Sequence, residues 1–346
     1  MNEGSLSAAA APSEQRPARP IAAVITGTGF DVPDQVMTNA DLEKMVDTSD
    51  EWITARTGIK ERRIARPEQA ASDLALRAAQ RALDDAGVSP EEIDLIIVAT
   101  VTGDTLFPST SCLVQHALGA KNAGAMDVSA GCTGFIYALT TARQFIAAGT
   151  YRTILVVGVE VLSRITDWTD RGTCVLLADG AGAAVVQAAG GSNRGIIASF
   201  LAADGGHGPD LCMPGGGSRI PASADSIKKR LHYLKMNGNS IFKVAVGSMA
   251  DAVRHLLGAA NLDVEDISLL IPHQANLRII EATAKMLKFP MEKVFVNIQK
   301  YANTSSATII IALDEARRAG LIKPDDVVIM VAFGAGLTWG GVAVRW

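Results

Sequence analysis

Cysteine is scarce in this chain: four in 346 residues, at positions 112, 132, 174 and 212, with no CxxC pair and no dense cluster. That spacing excludes a disulfide framework and a zinc cluster and suits a reducing compartment, so no metal site is expected. An excess of one charge is missing too. Lys and Arg number 32 against 36 Asp and Glu, a net charge of −4, which leaves no global basic field for nucleic acid. No apolar run reaches the roughly 18 residues of a membrane span, so neither nucleic acid nor a membrane is expected as a partner. Residues 1–20 are rich in Ala, Pro and Ser, with Glu3 and Glu14 and no sustained apolar stretch. They read as a disordered tail and not a signal peptide, and a cytoplasmic location is expected. What is abundant is apolar side chain, 48% of the residues, enough for a large core in one or two fused domains.

Ordered sequence begins at Ile21, where IAAVITGTGF reads as a short buried strand. Its Gly27 and Gly29 lack the third glycine of a dinucleotide site, Val32 standing in that place, so a turn is expected there. Asn39 or Asp41 can cap a short helix, and Ser49 through Trp52 can begin another. Trp52, Arg56, Arg62 and Arg63 gather an aromatic and several guanidinium groups. They suit either a grip on a nucleotide or phosphate, or a solvated basic face with a packed Trp. From Ser72 to Ala86, Leu74, Ala78, Ala82 and Leu83 recur at helical spacing, and Gly87 ends the run. Apolar strands then alternate with helices, which indicates α/β sheets covered on both faces.

The second half repeats the first. ALRAAQRALDDAGVSPEEIDLIIVAT is matched by MADAVRHLLGAANLDVEDISLLIPHQ, each a helix, a small-residue turn, an acidic pair and an apolar strand. The stretch AMDVSAGCTGFIYALTTARQFIAAG has a counterpart in VFVNIQKYANTSSATIIIALDEARRAG. Ile93 pairs with Ile267 and Val128 with Ile298, so the register barely drifts. A duplicated unit is expected, 21–190 and 191–346, joined near GGSNRG, with an excursion or flap over residues 204–240.

Cys132 stands where a strand enters Ser-Ala-Gly and a helix leaves after Thr133. A thiol at a helix N-terminus is expected to populate its thiolate more than a free cysteine of pKa about 8.5. The same residue is open to reading as a packed thiol. The counterpart elbow presents Asn303, and His273 follows a strand at the position of Ala99 in the first half. If a pseudo-twofold relates the halves, a thiol, an imidazole and a carboxamide meet in one cleft, a nucleophilic constellation.

DVSAGCTGF, IPHQANLRII, YANTSSAT, VAFGAGLTWG and TNADLEKMVDTSDEWITARTGI closely resemble the β-ketoacyl-acyl carrier protein synthase III family, in order from about Ile21 to Trp346. The resemblance implies a thiolase-like duplicated α/β fold of five layers, α-β-α-β-α, usually a homodimer. It implies an acyltransferase that condenses an acyl-CoA, acetyl-CoA above all, with malonyl-acyl carrier protein to start fatty-acid synthesis. Acyl-CoA is then a substrate and no cofactor is needed. By the same resemblance Cys132 carries the acyl group, and His273 and Asn303 hold the malonyl thioester carbonyl. The backbone N–H groups of Cys132 and Ala335 form the oxyanion hole. Thr48, Trp52, Arg56, Arg171 and Asn276 bind coenzyme A, while Phe107, Leu162 and Leu177 line the acyl pocket, Phe107 in the partner subunit. Lys243, Arg278, Lys285 and Lys288 are expected to dock the acidic carrier protein.

Three departures stand out. Ala335 occupies a glycine position of the family's FGGG, where a positive φ is costly for Ala. Residues 206–236 are longer than usual, and the N-terminal tail is extra. A relative of secondary metabolism with another primer or acceptor is the alternative. A papain-like hydrolase would be a secreted, disulfide-bearing chain, a thiolase needs a second cysteine beyond Cys212, and a scaffold would carry no thioester on Cys132.

Overall fold

The computed structural model describes residues 21–190 and 193–346, so the tail 1–20 and two residues of the expected join lie outside the described residues. Two sheets face each other. The first is ordered Ala22–Asp31, Asp179–Ala189, Thr153–Val161, Leu95–Ala99, Gly124–Val128. The second is ordered Gly195–Ala203, Thr338–Arg345, Val327–Gly334, Ile267–Pro272, and an isolated parallel bridge from Leu270 to Val294 stands where the first sheet has its edge strand. Strand order and direction repeat. In each sheet the inner pair is parallel, and its neighbour returns antiparallel.

Two helices, Gly134–Ala147 and Thr308–Arg318, lie between the sheets. Phe135, Leu139, Ile146, Ile309, Ile310 and Leu313 are fully or almost fully buried in one core shared with both sheets. Each such side chain contributes about 1.5–3 kcal/mol of transfer free energy. Ala71–Ala86 covers the outer face of the first sheet, and Gly238–Ala260 with Leu277–Leu287 covers that of the second. These are the five layers of the thiolase-like duplicated fold.

Small residues set the closest approaches. A Cβ on Gly27 would come within 2.5 Å of the Ala82 carbonyl oxygen, so the glycines of the GxG let the Ala71–Ala86 helix lie directly on the strand. That helix begins one residue before the expected Ser72 and ends at Gly87, whose φ of 64° places it in the left-handed region. The first short helix, Asn39–Glu43, is capped by Thr38 and not by Asn39 or Asp41: the Thr38 hydroxyl accepts from the Asp41 N–H. Ser49 caps Asp50–Thr57 as expected.

The excursion is ordered. It comprises the turn Gly205–Asp210, a two-stranded ribbon of Leu211–Cys212 with Lys235–Met236, and the helix Ala224–Lys228. Arg230 ties it down through an ion pair with buried Asp167, and the Leu234 N–H donates to the Ile165 carbonyl at 2.8 Å.

Candidate active site

Strand Gly124–Val128 runs into a three-residue 3-10 turn, Gly131–Thr133, and helix Gly134–Ala147 follows directly. Cys132 is the middle residue of that turn. In the second half the turn Ser305–Ala307 precedes helix Thr308–Arg318 in the same way, so the topological equivalent of Cys132 is Ser306, with Asn303 three residues earlier. A Cβ on Gly334 would fall 2.5 Å from the Cys132 nitrogen, and one on Gly131 2.8 Å from the Ala335 nitrogen. Glycine at both places lets the two backbones touch, and the N–H groups of Cys132 and Ala335 both bear on the thiol. The strain expected at Ala335 does not arise. Gly336, with φ of 141°, takes the positive φ, and Ala335 is not among the positive-φ residues.

His273 follows strand Ile267–Pro272, and its N–H donates to Val331 at 2.8 Å. Leu95 faces Ile154 and Leu269 faces Val328 in the two ladders; the first strand ends at Ala99 and the second at Pro272, directly before His273. The imidazole is buried, with Nδ1 2.6 Å from the Thr308 hydroxyl. Asn303 is held at its backbone by Leu176 and Ala178, each at 3.0 Å. Its side-chain oxygen accepts the Ser305 N–H at 2.8 Å, which leaves the NH2 group to donate elsewhere.

Cys132, His273, Asn303 and Asn276 line one cavity of about 130 Å³, walled by apolar side chains including Leu176, Met236, Phe242, Met249 and Phe333. Burial there overturns the expectation of a ready thiolate. Loss of solvent pushes the Cys132 thiol up to about 11, and Glu160 adds to the rise against the pull of Ser305 and the two backbone N–H groups. Desolvation likewise holds His273 down at about 3. Both groups are neutral at pH 7 in the free protein. The turn's N–H groups are present, but they do not offset the dry cavity.

A cleft of about 490 Å³ adjoins the cavity, sharing Leu176, Met236, Phe242 and Asn276 with it and lined at its mouth by Trp52, Arg56, Lys243 and Arg278. The guanidinium groups of Arg56 and Arg171 lie 4.9 and 5.0 Å from the Trp52 ring centre. Arg171 also donates to the Asp47 carbonyl at 2.7 Å, and the buried Thr48 hydroxyl beside it has no partner. Asn276 caps helix Leu277–Leu287, accepting from Arg278 at 2.9 Å. Leu162 and Leu177 are buried but do not line the cavity, and Phe107 stands 86% exposed on a loop outside it. Lys285 and Lys288 are exposed on the last turn of the same helix, away from the cleft lining. Among the described residues no group of three or more His, Cys, Asp or Glu could hold a metal ion. No helix among them is long and apolar enough to cross a membrane.

Two contributors escaped the sequence reading. Thr308 is one. The other is Glu160, a fully buried carboxyl on the inner face of strand Thr153–Val161. A lone acid in the apolar run ILVVGVEVL is the signal that marks it.

A duplicated five-layered α/β molecule, with its cavity where the two elbows meet, is the architecture of the thiolase-fold condensing enzymes. Two family models match this chain, 3-oxoacyl-[acyl-carrier-protein] synthase III over residues 126–205 and its C-terminal part over 257–346. The β-ketoacyl-[acyl-carrier-protein] synthase III of Caldanaerobacter subterraneus subsp. tengcongensis is 58% identical over 326 residues, 94% of this chain and 98% of that one. The crystal structure of the Aquifex aeolicus synthase III superposes with a TM-score of 0.87 at 51% identity, covering 94% and 100% of the two chains. The priming β-ketosynthase of the R1128 polyketide pathway reaches the same TM-score at 36% identity, covering 96% and 98%. The chain belongs to the 3-oxoacyl-[acyl-carrier-protein] synthase III family and is an acyltransferase of the condensing type.

Proposed function

We propose that this enzyme joins the acyl group of a short acyl-CoA to malonyl-acyl carrier protein, with loss of CO2, and so starts fatty-acid synthesis. The observation that carries the reading is the composition of the cavity: thiol, imidazole and carboxamide line it, and no carboxylate does. Decarboxylation needs no base, because the electrons of the broken C–C bond form the carbanion directly. It needs donors at the enolate oxygen in a dry site.

In the first stage the Cys132 sulfur attacks the acyl carbonyl, whose oxygen is received by the N–H groups of Cys132 and Ala335. The C–S bond to coenzyme A breaks, and its thiol leaves with the proton that Cys132 gives up. With the thiol held up at about 11 and His273 held down at about 3, the imidazole is too weak a base to keep that proton, which passes to the departing sulfur as the two C–S bonds exchange. In the second stage malonyl thioester loses CO2, and the Asn303 NH2 with His273 Nε2 holds the enolate oxygen. The carbanion attacks the acyl carbonyl, a C–C bond forms, the C–S bond to Cys132 breaks, and the freed sulfur takes a proton from solvent.

Trp52, Arg171, Arg56 and Thr48 suit the adenine and phosphate end of coenzyme A. Arg171 occupies the Trp52 face in the free protein, so an entering base takes its place between them. Residues 21–190 supply the nucleophile and 191–346 the His and Asn. The exposed apolar loop with Leu106 and Phe107, 88% and 86% exposed, suits burial against a second copy in a homodimer. Four cysteines without a disulfide suit the cytoplasm.

Incubation with a panel of acyl-CoAs, followed by intact-protein and tryptic mass spectrometry, tests the reading. One acyl group on Cys132 is expected, none on Cys112, Cys174 or Cys212. Acylation elsewhere, or none with any acyl-CoA, overturns it.

A further inference from the structure

Glu160 is 0% exposed, and its carboxyl accepts hydrogen bonds from neutral donors. One oxygen accepts from the Thr102 hydroxyl at 2.5 Å, the Val101 N–H at 3.1 Å and the Thr100 hydroxyl at 3.4 Å. The other accepts from the Ser305 hydroxyl at 3.2 Å and again from Val101, at 3.3 Å. Those donors belong to two separate segments. Thr100–Thr102 open the loop that carries Leu106 and Phe107. Ser305 lies in the turn after Asn303, and its N–H fixes the Asn303 side-chain oxygen at 2.8 Å.

We propose that Glu160 is a positioning residue that clamps the Phe107 loop to the Asn303 elbow, so that the acyl-pocket loop and the amide donor are held in one arrangement. The inference rests on the condensing reaction proposed above. A buried carboxyl without a cation is costly, and its own acid is pushed up to about 7 by desolvation, against the pull of Thr102, Val101, Ser306 and Ser305. Packing alone does not call for such a group in a strand whose inner neighbours, Ile154, Val156 and Gly158, are apolar or small. Cys132 is the titratable group on which its charge bears, raising the thiol. From the loop side Thr100, Val101 and Thr102 face it, and from the elbow side Ser305 and Ser306, all neutral.

The two arms can be cut separately. Ser305→Ala removes the hydroxyl that serves both Glu160 and the Cys132 thiol and keeps the N–H to Asn303, while Thr102→Val removes the shortest loop contact at constant shape. Three quantities are measured: malonyl-thioester decarboxylation, the ratio of kcat/KM for acetyl- and octanoyl-CoA, and the pH profile of Cys132 alkylation by iodoacetamide. Ser305→Ala is expected to lower decarboxylation about tenfold, short of the roughly 100- to 1000-fold loss of a whole donor, with the chain-length ratio unchanged. Thr102→Val is expected to shift the ratio and spare decarboxylation. Glu160→Gln keeps shape and removes the charge, so its alkylation profile moves to lower pH while Glu160→Ala loses both functions. Variants with wild-type melting temperatures that leave all three quantities unchanged overturn the clamp, as does equal loss of both functions from either single cut. If the wild type itself takes no acyl group on Cys132, the condensing reading fails. The alkylation shift of Glu160→Gln still reads the Glu160–Cys132 link without any substrate.

Discussion

His273 Nδ1 lies 2.6 Å from the Thr308 hydroxyl, and that hydroxyl lies 3.0 Å from the Ser305 carbonyl oxygen. A hydroxyl has one proton to give. Given to Ser305, it makes Nδ1 the donor and leaves Nε2 bare, unable to donate to an enolate oxygen. Given to Nδ1, it leaves the proton on Nε2, able to hold an enolate oxygen. Thr308 therefore governs which partner the imidazole can be.

Thr308→Val is expected to slow condensation about tenfold or more, with Thr308→Ser restoring it. The effect should stay below the roughly 100- to 1000-fold cost of losing a donor outright in Asn303→Ala. His273→Ala and Asn303→Ala should both slow decarboxylation and spare much of the acylation of Cys132. Single-turnover acylation and decarboxylation rates separate the steps. A Thr308→Val enzyme with wild-type rates in both would remove the hydroxyl from the argument.

The Cys132 thiol, pushed up to about 11, leaves roughly one molecule in a thousand as thiolate at pH 8. Alkylation of the free enzyme by iodoacetamide should climb with pH through 9 and 10 without a plateau, and Cys132→Ala should remove it. Exposed Cys112 reacts on its own profile, so the modified peptide is followed by mass spectrometry. A plateau reached by pH 8 would mean that the turn's N–H groups outweigh burial after all.

Periodicity and punctuation made much of this fold readable. The Ala71–Ala86 helix was legible from Leu74, Ala78 and Ala82 with Gly87 behind them, because spacing alone selects its buried face. The repeat placed His273 at the end of the strand that corresponds to Leu95–Ala99, and it stands directly after Pro272. Local chemistry misplaced the Thr38 cap by one residue at Asn39 or three at Asp41, as nearby polar residues can each serve. The acidity of Cys132 was illegible for another reason. The elbow is local, but the apolar walls come from Met236, Phe242, Met249 and Phe333, far along the chain. Glu160 and Thr308 were hidden likewise, for their partners lie 145 and 35 residues away.

Three of the residues proposed to dock the carrier protein, Arg278, Lys285 and Lys288, lie on or at the end of helix Leu277–Leu287. Arg278 lines the cleft proposed for coenzyme A and its guanidinium lies 5.8 Å from the Phe242 ring centre, so its reversal should disturb both substrates. Lys285 and Lys288 lie outside that lining, at the far end of the helix. Lys285→Glu with Lys288→Glu is expected to raise the apparent KM for malonyl-carrier protein several-fold at low salt and to spare acylation by acyl-CoA. The difference should fade as salt is added. Unchanged carrier kinetics would take both lysines off the docking surface, and Lys243→Glu, at the cleft mouth, would become the next variant to measure.

Phe107 is the residue proposed to limit primer length, and it stands 86% exposed. The ring lies outside its own chain's cavity, so it can limit a primer only by entering the cavity of a second copy. In that setting a benzyl group at the pocket end leaves space for a few carbons, and overpacking a closed site costs about 1–3 kcal/mol. That corresponds to a roughly 5- to 150-fold preference for a short acyl group, acetyl above octanoyl. Phe107→Thr should therefore narrow the kcat/KM gap between acetyl-, isobutyryl- and octanoyl-CoA, and it should weaken self-association by removing a large apolar side chain from the contact. Both are measurable on one preparation, by steady-state kinetics and sedimentation. A monomer in solution, a wild type that prefers octanoyl-CoA, or a variant with an unchanged ranking would each exclude Phe107 as the stopper.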